Sequence, residues 1–114
     1  MSDSNQKNLS SNVFDLNSLF EIIQKKSLSN DKNSYSKKLV ESKVNLVAQK
    51  IGEEGVEVAV SAMDHDRSNT LQTRQEIINE VSDLFYHTTA LLVKYNIKLE
   101  EIYFELNQRN NKHE

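Results

Sequence analysis

Carboxylates three residues apart occur twice in this chain: Glu54 and Glu57 within KIGEEGVE, and Glu80 and Asp83 within NEVSD. Residues at i and i+3 are neighbours on a helix surface, so each pair is able to present two carboxylates to one point in space. Acids held that close repel one another unless a cation compensates them. Oxygen ligands in this number suit a hard ion, Mg2+ or Mn2+, rather than zinc. A single E-x-x-E is common on the solvated face of an acidic helix and says little. Two such pairs on helices that pack side by side point to a metal site, with a merely solvated acidic shoulder as the competing reading.

Other chemistry is thinner. Lys50 stands beside these acids, where it either meets a phosphate or closes an intrahelical ion pair worth about 0.2–0.5 kcal/mol. His87 falls next to the second acid pair, as an acid lining the strip or as a hydrogen-bonded packing residue. His65 and His113 fall in a loop and a tail and read as solvated. No Gly-rich phosphate loop and no Ser/His/Asp constellation is present. The chain has no cysteine, which removes a thiol nucleophile, a thiolate zinc site, an iron–sulfur cluster and a disulfide scaffold together.

The helices that position these acids follow from apolar spacing. Leu16, Leu19, Phe20 and Ile23 fall at i, i+3, i+4 and i+7, which predicts a short helix with Asp15 as N-cap and Lys25 and Lys26 in its last turn. Tyr35, Leu39 and Val40 predict one or two further turns behind Ser34. The strongest periodicity runs over 44–63, through Val44, Val47, Ala48, Ile51, Gly55, Val58, Ala59 and Ala62. With Ile51 set at zero, its apolar arc covers about 320° to 80°, Glu54 lies at about 300°, Lys50 at about 260° and Glu57 at about 240°. DHDRSN is expected to be a loop. A second long helix starts near Thr70, carries Ile77, Val81, Leu84, Thr88, Leu91, Leu92 and Tyr95, and ends at KYN, with Asn96 suited to a left-handed turn. Measured from Val81, Glu80 lies at about 260°, His87 at about 240°, Glu76 at about 220° and Asp83 at about 200°. A last helix, LEEIYFELNQR, completes the set.

These elements make an all-α chain, a bundle built on a long antiparallel helix hairpin. The absence of proline and the presence of only two glycines leave none of the turn chemistry that β-rich folds need. At 114 residues the chain is one domain: a polar, disordered arm over 1–12, a folded domain over 13–110 and a frayed tail over 111–114. An apolar fraction of 37% allows only a thin core, which a second subunit would complete. Fourteen basic against seventeen acidic residues give a net charge of −3, so no footprint for nucleic acid is expected. No apolar run suits a membrane span or a secretory leader, and a cytoplasmic location is expected.

The segments SYSKKLV, QKIGEEGVEVAVSA and NEVSDLFYHTTALLVKYNIKLEEIYFEL together resemble the phosphoribosyl-ATP pyrophosphohydrolase family, within the MazG-like all-α nucleotide pyrophosphohydrolases. The match covers about residues 14–109. The E-x-x-E plus E-x-x-D part alone marks the superfamily, whereas SY-x-x-KL and K-I-G-E-E favour the histidine-pathway member. The resemblance implies a helical homodimer acting on phosphoribosyl-ATP, with Mg2+ held by Glu54, Glu57, Glu80 and Asp83. It further implies Glu53 as another acidic residue of the site, where it, or an acid not firmly ligating metal, would accept the proton of the attacking water, and Ser34, Tyr35, Lys38 and Lys50 as contacts to substrate phosphates or ribose. Gly55 stands where the family usually has Ala. The connection from Glu57 to Glu80 is longer than the family leads one to expect, and extension of both helices by about a turn would absorb the excess. Two other functions fit the same residues: a housecleaning nucleoside triphosphate pyrophosphohydrolase of the superfamily, and a non-enzymatic helical dimerisation or adaptor module.

Overall fold

A computed structural model describes residues 13–113. The arm expected over 1–12 lies outside the described residues, as does Glu114. Among the described residues five helices follow one another: α1 (Leu16–Ser27), α2 (Tyr35–Glu41), α3 (Val44–Ser68), α4 (Leu71–Lys94) and α5 (Leu99–His113). Among the described residues there is no strand. The fold is all-α, built on the antiparallel hairpin of α3 and α4.

Local chemistry sets the helix ends. The Asp15 side chain accepts from the Ser18 N–H while the Ser18 hydroxyl accepts from the Asp15 N–H, a reciprocal capping box. The Ser18 N–H, together with the Ser18 hydroxyl donating to Oδ1 at 3.0 Å, favours the charged form and holds the Asp15 carboxyl below its ordinary range. Ser34 caps α2, and Thr70 forms a second capping box with Thr73. Asn69 takes the left-handed conformation, φ 51°, between α3 and α4, and Asn96 does the same, φ 54°, after α4.

Two boundaries differ from the sequence expectation. DHDRS is helical, because no glycine or proline interrupts it, and α3 ends only where Asn69 turns left-handed. The segment after Met63 is thereby helix on the α3 side, while α4 begins where the sequence placed it, at Leu71. At the other end, α5 runs through His113 instead of fraying from 111, with Arg109 and Glu105 paired at 3.0 Å one turn apart.

The core lies at the open end of the hairpin. Ile23 from α1, Leu39 from α2, Val47 from α3 and Ala90 from α4 are fully buried together, and Phe20, Leu92 and Leu99 form a second cluster beside them. Lys94 fastens α2 to this end: its ammonium donates to the Val40 carbonyl at 2.9 Å and to that of Ser42. Beyond the core, the hairpin continues as two helices packed mainly on each other.

The inward face of α3 is also rotated from the apolar arc. Val47, Ile51, Glu54, Val58 and Ser61 face inward, a 4-3-4-3 spacing that follows the seam between two long antiparallel helices. Ala48, Gly55, Ala59 and Ala62, expected in the core, lie exposed on the flank about a quarter turn away. The consequence for function is direct. The seam itself is apolar at its base and acidic in its middle.

Candidate functional site

The middle of the seam brings the acid pairs of α3 and α4 together. The helices run antiparallel, so Glu57 meets Glu80 across the gap and their carboxyls share a hydrogen bond. That bond requires a proton on one partner. It is the chief reason the Glu80 carboxyl is pushed up to about 7, with partial burial and the negative charges of Glu57, Asp83 and Glu54 acting in the same direction. The other three expected metal-binding residues therefore lie within electrostatic reach of Glu80.

Glu54 is the most enclosed of the four, 8% exposed. Its Oε1 lies 2.6 Å from His87 Nδ1, and the same nitrogen lies 3.0 Å from the Asp83 carbonyl. The ring hydrogen is aligned with the carbonyl. Oε1 rests beside it as a buried acceptor without an aligned hydrogen bond of its own. On the far side of the ring, Nε2 is 2.8 Å from the Tyr35 hydroxyl at the start of α2. Tyr35 also stacks on Tyr86 at 6.2 Å between centroids, and Tyr86 shares a 2.6 Å hydrogen bond with Ser36. Partial burial, with Tyr86, Glu54 and Glu53 nearby, raises the Tyr35 pKa and keeps its proton in place.

The acidic middle fits a hard cation by its donor chemistry. It offers carboxylate oxygens only, two of which already share a proton where positive charge would otherwise sit, and a third is buried without an aligned donor. The oxygens are not gathered into a finished ligand shell: among the described residues, no three acidic or histidine side chains stand as a closed metal cluster. Rotamer adjustment of Glu57, Glu80 and Asp83 would be part of binding.

The remaining expected residues are spread around this centre. Glu53 is exposed, accepts from the Gln49 amide at 3.1 Å and pairs with Lys50 at 3.8 Å. Its charge acts on Tyr35, which sets it at the rim of the site. Ser34 is engaged as the α2 cap, accepting from the Lys37 N–H at 3.2 Å. Ser34 and Tyr35 nonetheless border a polar hollow of about 190 Å³ with Lys26, Ser29, Asp31, Ser36 and Tyr86. Lys38 is exposed on α2.

Three polar residues join the site that the sequence pattern did not select. Asp64, Glu76 and Asn79 line a cleft of about 310 Å³ together with Glu57, Ser61 and Glu80. Asp64 lies seven residues after Glu57, hence on the same side of a helix, but that relation exists only once DHDRS is helical. Glu76 precedes Glu80 by one turn and shared its shoulder in the angular reading.

An all-α chain whose longest hairpin carries facing carboxylate pairs in its seam defines the class of protein. Comparison with known sequences makes the assignment narrower. The chain belongs to the phosphoribosyl-ATP pyrophosphohydrolase family, whose model matches residues 7–110. It is 35% identical over 97 residues to the phosphoribosyl-ATP pyrophosphatase of Clostridium acetobutylicum, covering 85% of this chain and 82% of that protein. The corresponding protein of Listeria welshimeri is 34% identical over 97 residues, 85% of this chain and 86% of the relative. The histidine biosynthesis bifunctional protein HisIE of Caldanaerobacter subterraneus is 37% identical over 97 residues, 85% of this chain but 44% of its own length. The chain thus spans under half of the bifunctional relatives it matches.

Proposed function

We propose that the chain hydrolyses the α–β phosphoanhydride of phosphoribosyl-ATP, adding one water to give phosphoribosyl-AMP and pyrophosphate, the second step of histidine biosynthesis. The observation that carries this reading is the Glu57–Glu80 carboxyl pair, closed across two helices and flanked by Glu54 and Asp83. Membership of the family supplies the substrate class.

In this proposal Glu54, Glu57, Glu80 and Asp83 hold Mg2+, or Mn2+ in its place. When bound, the ion would neutralise charge on the phosphate oxygens and the leaving pyrophosphate. Lys50 and Lys38 hold the phosphate tail as point charges, and Ser34 and Tyr35 border the ribose and phosphate side. Glu53 accepts the proton of the attacking water. Its support is position: it is a carboxylate at the rim that takes no part in the Glu57–Glu80 pair. Positioning and charge supply the rate, so no side-chain nucleophile is required.

The proposal includes a homodimer. Its support is the apolar surface left over: Val56, Val60 and Met63 on α3, Phe85 on α4 and Phe104 on α5 are all exposed. The cysteine-free composition is compatible with the reducing cytoplasm, where we place the reaction.

A pyrophosphate-release assay with Mg2+ tests the reading. Phosphoribosyl-ATP is expected to be cleaved in preference to the common nucleoside triphosphates, and Glu80→Gln to lose about 100-fold or more of the rate. Preferred cleavage of a canonical or damaged triphosphate assigns the chain to housecleaning instead, and full activity in Glu80→Gln removes the metal site.

A further inference from the structure

His87 is buried, 7% exposed, at the level where α2 meets the acidic seam, and the proposed reaction gives it no task. Its surroundings are specific. Nδ1 faces two acceptors, Glu54 Oε1 at 2.6 Å and the Asp83 carbonyl at 3.0 Å, so Nδ1 is the nitrogen that carries the hydrogen. Nε2 is then the acceptor for the Tyr35 hydroxyl at 2.8 Å. Both nitrogens are occupied, and the Tyr35 and Tyr86 rings meet the imidazole edge-on at 5.6 and 5.1 Å, which fixes its plane.

We infer that His87 is a positioning residue: it clamps Glu54 in the orientation needed for a divalent cation and ties that carboxylate, through Tyr35, to the start of α2. The inference rests on the metal-dependent reading above. The logic is that of a ligand held by its outer partner. A glutamate side chain has three rotatable bonds and would otherwise swing out of the seam. Oε1, which takes no aligned hydrogen bond, keeps a lone pair for the ion while its 2.6 Å contact with the imidazole holds the carboxylate in the seam. Because Tyr35 borders the hollow beside α2, the same chain of contacts sets the distance between the hollow and the acids.

Mn2+ uptake by the purified full-length chain, followed by electron paramagnetic resonance, tests this without turnover. Loss of an outer-shell partner typically costs about 10- to 100-fold in metal affinity, and His87→Phe is expected to show that loss. His87→Asn restores an N–H near the Nδ1 position and is expected to recover most of it, although it no longer reaches Tyr35. Tyr35→Phe leaves the Glu54 contact in place and is expected to weaken Mn2+ binding less than His87→Phe does. Circular dichroism confirms that each variant is helical; if His87→Phe does not fold, the order wild type, Tyr35→Phe and His87→Asn remains the test. Equal Mn2+ affinity in wild type and His87→Phe, or no recovery in a folded His87→Asn, overturns the inference alone. A wild type that takes up no Mn2+ overturns both the inference and the reading beneath it.

Discussion

At the scale of single residues, the acidic seam makes stability depend on pH in an unusual direction. Glu80 titrates at about 7 in the folded chain against 4.5 for the ordinary carboxyl. Between those values the folded state retains a proton that the unfolded state has released, so unfolding releases protons and stability falls as pH rises. Metal-free protein in chelator is therefore expected to melt at progressively lower temperature from pH 4.5 to 7, and most of that slope should vanish in Glu80→Gln. A slope of the opposite sign in that window would show that Glu57 and Glu80 do not share a proton. Saturating Mg2+ is expected to raise the melting temperature most at pH 7 and above, where it replaces repulsion by ligation without displacing a proton.

At the scale of helices, the hairpin depends on a tight reversal. Asn69 in the left-handed region and the Thr70–Thr73 capping box leave two residues to turn the chain, and His65 closes the turn with a 2.7 Å hydrogen bond to the Thr73 hydroxyl. Thr70→Ala is expected to cost about 1 kcal/mol in urea unfolding. Gly55 works the other way. It has no positive φ, and a Cβ there meets nothing of its own chain within 4 Å, so Gly55→Ala is expected to stabilise α3 within the single chain by about 0.5–1 kcal/mol, measured by urea unfolding of the monomeric Phe104→Lys protein. The caps Asp15, Ser34 and Thr70 were legible in the sequence because cap chemistry is local. So were the facing acid pairs, since a 3.6-residue period places them once two helices are known to pack. The inward face of α3 was not legible, because that helix carries two apolar rows, Val47/Ile51/Val58 and Ala48/Gly55/Ala59, and spacing alone cannot say which one meets α4. His87 was visible only as a neighbour of the acids; its contact with Tyr35 joins residues 52 positions apart and exists only in three dimensions.

At the scale of the molecule, both apolar rows of α3 need an occupant, and a single chain supplies only one. Its radius of gyration is 17.2 Å, against about 13 Å for a compact chain of this length. The excess comes from the distal hairpin and from α5, whose Ile102, Tyr103, Phe104 and Leu106 are exposed. Beside them, Leu84, Phe85, Leu92 and Leu99 line an apolar cleft of about 260 Å³. An apolar surface of this continuity is rare on a stable monomer. A two-fold partner that packs its own α5 and hairpin against these surfaces would cover them without any further chain, since a self-complementary patch needs only one sequence. Wild-type protein is accordingly expected to sediment at twice the 13.2 kDa chain mass and to melt at a temperature that rises with protein concentration. Phe104→Lys places a charge in that surface. It should shift the protein to the single-chain mass and make its lower melting temperature independent of concentration, while most helical dichroism remains. Sedimentation of the wild type as a single chain, with a concentration-independent melt, would mean that α5 and the small-residue face of α3 serve something other than a second copy.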